Sequence, residues 1–143
     1  MTIDEKVEQL AQYLPSLRDV ADPATVQGIV QVWYTALDMS PWETFDQAKF
    51  KEGMDDITLI SHVNSSVECA LSLARIIHKY HGCNFDEQRI IILGLLHDVD
   101  KVVEYVYDKD GKLVVSEIGR KIQHGVLTAM LAREAGFDVD MQH

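Results

Sequence analysis

The chain has 143 residues, a formal net charge of −10, and 47% hydrophobic and 25% charged residues. That is the size and composition of one soluble domain with a real core. Its acidity repels phosphate backbones, so no stable nucleic-acid binding is expected, although a few local cations or a metal leave room for a small phosphorylated molecule.

Cys69 and Cys83 show no metal or disulfide spacing, and the acidic N-terminus shows no signal peptide. No apolar run reaches the ~20 residues of a membrane span. The expected setting is the reducing cytoplasm, without membrane contact. Self-association is open.

In chain order, Thr2-Ile3-Asp4-Glu5 reads as a capping box. Ile3, Val7, Leu10, Ala11 and Leu14 continue it at helical spacing until Pro15. Asp22-Pro23 starts a second helix with Val26, Ile29, Val30, Trp33, Ala36 and Leu37 on its buried face. These two helices are expected to cover the core or form a dimer surface. Residues 39–54 read as a connector pinned by Trp42, Phe45 and Phe50. The expected organisation is an N-terminal helical extension with its connector over 1–54, and a core over 55–143.

Asp55, Asp56 or Thr58 caps a long helix that Gly82 ends. His62, Ser65, Ser66 and Cys69 lie on one stripe, as on a helix lining a polar cavity. His78 is about 24 Å from His62 along a straight helix, so it and His81 read as charges complementing the helix end. Asn84-Phe85-Asp86-Glu87 reads as a capping box opening a helix over 85–96. Val102–Tyr107, a turn at Asp108–Gly111 and Leu113–Val115 predict a short hairpin. A last full helix is expected from Ser116 to about Ala135, with Arg120 and His124 on one face. Phe137–His143 reads as a loop and a helix start.

The most informative stretch is Ile-Ile-Ile-Leu-Gly-Leu-Leu-His-Asp-Val-Asp-Lys over 90–101. An apolar run of this kind is buried, and it carries His97 and Asp98 in with it. Buried imidazole and carboxylate need partners, and a divalent cation satisfies both. Taken alone, a His capping a helix end and an Asp starting a turn are the simpler explanation of the pair.

His62 on the earlier helix, Leu95-Leu96-His97-Asp98-Val99-Asp100-Lys101, and His124 on the later one resemble the HD-domain superfamily of metal-dependent phosphohydrolases. The resemblance covers roughly residues 55–143. It implies an all-α, HD-domain-like helical bundle, here with a small β-hairpin after the His-Asp motif. It implies one or two divalent ions (Mn, Fe, Ni, Zn, Co or Mg) on His62, His97, Asp98 and His124. Catalytic roles fall to Asp98, Lys101 and His124, and substrate contacts to Lys101, Arg120 and His124. Hydrolysis of a small phosphate ester or nucleotide-type substrate is the implied activity. A non-catalytic regulatory or ligand-binding domain and a di-iron oxygenase on the same scaffold are the alternatives.

Two departures stand out. Asp100 replaces the usual Gly and adds a charge beside the site. The family's final Asp has no obvious counterpart, since Asp138 and Asp140 follow Gly136 too soon. A fragment, a variant with a substitute ligand, and a degenerate binding domain each account for this; the ending reads as a fragment.

Overall fold

The computed structural model describes residues 1–142. The chain is mostly helical, with one small antiparallel hairpin. His143, the last residue of the expected terminal helix start, lies outside the described residues.

Helix α1 spans Ile3–Tyr13 behind the reciprocal Thr2–Glu5 capping box. Pro15 turns the chain into a short 3-10 segment. Helix α2 spans Pro23–Asp38, with Asp22 accepting from the Thr25 N–H and Pro23 in its first turn. Helix α3, Leu59–His81, is capped by Thr58 and ends at Gly82 in the left-handed region. Local chemistry places each of these boundaries where the residue types predict it.

Helix α4, Glu87–Leu96, begins later than expected. Its N-cap is Asp86, whose carboxylate accepts from the Arg89 N–H, rather than Asn84. Ile91, Leu95 and Leu96 are buried, while Ile90, Ile92 and Leu93 are half-buried. Helix α3 packs closely on α4 at Gly94: a Cβ there would lie 2.6 Å from Val67 Cγ2. That approach brings the first turn of α3, with His62, to the end of α4.

One hydrophobic core joins the N-terminal third to the later helices. Leu10, Leu14, Ile29, Trp33 and Phe45 belong to the same buried cluster as Val63, Val67, Leu95 and Val102. Residues 1–54 therefore supply much of the core on which α3 and α4 rest. Phe45 meets Trp33 edge-on at 5.8 Å, as an aromatic anchor in a connector should. The Trp33 indole donates to the Leu95 carbonyl at 2.8 Å, and the Trp42 indole to the Val102 carbonyl at 3.0 Å. Two tryptophans of the N-terminal third thus bracket the stretch holding His97, Asp98 and Asp100.

After α4 the prediction and the structure diverge twice. Val102–Glu104, expected as strand, is the end of a short helix, α5, spanning Lys101–Glu104. Only Tyr105–Tyr107 (β1) pairs with Leu113–Val115 (β2). Tertiary context overrides β-propensity here, because buried Val102 and Val103 face the core from a helical turn.

The long helix expected over 116–135 is two helices, α6 (Glu117–Lys121) and α7 (Val126–Glu134). Ile122 is extended and Gly125 has φ +86°. The break gives the Gly125 N–H a partner outside the helix, the Asp100 carboxylate, at 2.6 Å. A short terminal helix, α8, spans Val139–Gln142. Among the described residues no helix is long and apolar enough to cross a membrane.

Candidate metal centre

Asp98 sits one residue past the cap of α4 and is only 6% exposed. Three imidazoles converge on it, each through Nε2. His62 lies 2.8 Å and His97 3.1 Å from Asp98 Oδ2; His124 lies 3.3 Å from Oδ1. The two oxygens of one buried carboxylate therefore face different sides of a histidine cluster.

The bland reading of His97, a helix-end cap, holds for its backbone and for Nδ1, which faces the Gly94 carbonyl at 2.8 Å. A carbonyl only accepts, so the Nδ1 proton is held there and Nε2 is left for Asp98 or a cation. His124 is oriented in the same manner. Its Nδ1 lies 3.2 Å from Glu104 Oε2 and 3.1 Å from Asp100 Oδ2, both acceptors. Carboxylate or carbonyl partners behind a ligating imidazole fix its tautomer and raise its basicity.

The connector closes over His62. A backbone pairing around Lys49 and Thr58 sets Phe50 at the base of a loop. The Phe50 ring stacks on His62 at 4.0 Å. Lys101 Nζ lies 5.0 Å from the Phe50 ring centre and 5.6 Å from that of Tyr105. Two aromatic faces hold this ammonium beside the cluster.

The structure thus brings His62, His97, Asp98 and His124 together and leaves Lys101 close by. Arg120 lies exposed near the end of α6, and the break at 122–125 ends the helical face it was expected to share with His124. Cys69 and Ser65 of the expected polar stripe are exposed, and Ser66 bonds back to the His62 carbonyl. His78 contacts the Cys83 carbonyl in the last turn of α3, in keeping with a helix-end role.

Glu104 and Asp100 are the site residues that sequence reasoning undervalued. Asp100 is 4% exposed, and its Oδ1 is buried without a hydrogen-bond partner among the described residues. The only advance signals were the charge at position 100 and a glycine inside a helical pattern at 125.

Among the described residues two groups of three have ligand atoms mutually within 4.8 Å: His62, His97 and Asp98, and Asp98, Asp100 and His124. Imidazole nitrogens and carboxylate oxygens suit Mn, Fe, Co, Ni and Zn, and the carboxylates alone suit Mg. The partnerless Asp100 oxygen is the kind of atom a cation would satisfy. On both counts these residues fit a divalent metal.

The charges of these groups are coupled. Burial pushes Asp98 up, but the hydrogen bond and charge of His97, then Lys101 and His62, outweigh it and hold the carboxyl at about 2. The Asp98 hydrogen bond raises His97 above its ordinary 6.5, against opposition from burial. Burial raises Asp100 above 3.8; the Gly125 N–H and His124 oppose, while Glu104 and Asp98 add to the rise.

Without metal, Asp98 contributes stability that is present above pH 3.8 and lost as pH falls through about 2. His97 contributes stability that is present below pH 6.5 and lost as pH rises through its raised value. A cation competes with the His97 proton. Metal affinity should therefore rise ~10-fold per pH unit up to that raised value and level off above it. Metal titrations across neutral pH check this, and a flat profile would remove His97 from the ligand set.

No family model, curated protein or solved structure matches the chain.

Proposed function

We propose that the chain is an HD-type, metal-dependent phosphohydrolase acting on a small phosphate ester or nucleotide-type substrate. The observation that supports this most is the approach of three imidazole Nε2 atoms to the two oxygens of Asp98. A divalent cation, when bound, supplies Lewis acidity that lowers the pKa of water and polarises a phosphoryl oxygen.

The protein's own groups divide the remaining work. His62, His97 and His124 would hold the cation or cations, with Asp98 as their shared carboxylate. Gly94 and Glu104 keep His97 and His124 in the tautomer with Nε2 forward. Lys101, steadied by Phe50 and Tyr105, offers a fixed positive charge to phosphoryl oxygens as their charge grows. Such a cation is needed in a chain of net charge −10 that binds an anion. Phe50 also shields one face of His62 from water.

The test is elemental mass spectrometry of the purified protein beside a His97→Ala/Asp98→Ala double variant, followed by a phosphate-ester screen of the metal-loaded wild type. Near-stoichiometric metal in the wild type, lost in the variant, together with phosphate release, is the expected result. Full metal content in the double variant would falsify the site. The donor set also accommodates two irons, so a coloured, oxygen-consuming protein would move the reading to an oxygenase. A folded chain that takes up no added Mn, Fe, Ni or Zn would move it to a binding module.

A further inference from the structure

We infer that Asp100 is a ligand of a second divalent cation, held with Asp98 and His124 beside the His62–His97–Asp98 position; this rests on the metal-centre reading above. Three observations carry it.

The first is the division of Asp98: Oδ2 serves His62 and His97, and Oδ1 serves His124. A bridging carboxylate uses its two oxygens in this manner, one toward each ion. The second is Asp100 itself. One oxygen accepts from the Gly125 N–H at 2.6 Å; the other, Oδ1, is buried and has no partner in a side chain that is 5% exposed. A buried carboxylate oxygen left unpaired is costly, and a cation removes that cost. The third is His124. Glu104 is the hydrogen-bond partner of its Nδ1, so its Nε2 is the nitrogen left facing Asp98. Glu104 acts as a positioning residue, holding the ring rather than the ion.

A small cavity lined by Asp100, Glu104, Ile122, Gln123, His124 and Leu127 adjoins this group. Three carboxylates, Asp98, Asp100 and Glu104, lie within 3.3 Å of the His124 ring nitrogens, which favours positive charge. Two carboxylates and one imidazole also make a harder site than two imidazoles and one carboxylate. Mn(II) is therefore a suitable probe.

The experiment is equilibrium dialysis of the metal-free full chain against Mn(II), read by elemental mass spectrometry, with electron paramagnetic resonance to detect spin coupling. The wild type is expected to hold two equivalents with a coupled spectrum. Asp100→Asn should hold one, uncoupled, with the second site weakened by more than ~100-fold, beyond what loss of an outer partner causes. Glu104→Gln should weaken that site by only ~10–100-fold, as expected of an outer partner. Asp100→Gly, with folding checked by circular dichroism, serves if the Asn variant does not fold.

Two coupled equivalents retained by Asp100→Asn would overturn the inference and leave the phosphohydrolase reading standing. Asp100 would then be a buried acid that caps Gly125. One equivalent in the wild type, lost in His97→Ala, would do the same. No Mn(II) in the wild type would overturn both.

Discussion

Asp98→Asn is expected to empty both cation positions at once. The substitution hardly changes size, but it removes the charge that three imidazoles share, and the amide nitrogen replaces one accepting oxygen with a donor. Because Oδ2 faces His62 and His97 while Oδ1 faces His124, the first group of three loses its carboxylate and the second loses one of its two. Mn(II) retained after dialysis should fall from two equivalents to none, and phosphate release from the best ester substrate by at least ~10³-fold. Elemental analysis and a phosphate assay read both effects. A variant that keeps its metal would show that the histidines merely solvate a buried carboxylate.

Trp33→Ala is expected to be the most destabilising single change outside the site. Trp33 is 0% exposed, packs edge-on against Phe45, and donates to the Leu95 carbonyl. The truncation leaves a cavity and a buried carbonyl without its donor, at ~3–5 kcal/mol in all. For a chain of this length that is a fall of roughly 10–20 °C in Tm. Trp33→Phe separates the terms: most of the ring volume stays and the hydrogen bond goes, for ~1–3 kcal/mol. Leu95 lies two residues before His97, so the alanine variant should also bind metal more weakly. Melting curves and Mn(II) titrations give the result; an alanine variant within ~1 kcal/mol of wild type would contradict the buried role.

Much of the helical frame was legible because its signals are local. Thr2, Asp22-Pro23, Thr58 and Gly82 act on backbone groups within a few residues, and each ends or starts a helix where its chemistry predicts. His62, His97, Asp98 and His124 were likewise readable as residue types in order, and the structure brings them together. The failures share a cause. Val102–Glu104 has strand propensity, yet the core takes it as helix. The helix expected across Gln123-His124-Gly125 breaks because the Gly125 N–H finds its acceptor on Asp100, far away in sequence.

What the sequence by itself determined is the list of donors, their order, and the helix caps, since hydrogen bonds between near neighbours and 3.6-residue periodicity need no distant partner. What only the tertiary structure decided is which donors meet. The close approach of α3 to α4 at Gly94 brings His62 to Asp98. The break before α7 turns His124 toward Asp98, Asp100 and Glu104 and separates its helix from that of Arg120. Trp33 and Trp42, readable in advance only as aromatic anchors, hold the motif from the N-terminal third. Each of these contacts joins residues separated by long stretches of chain. Their geometry is set by packing one shared core, which no local pattern encodes.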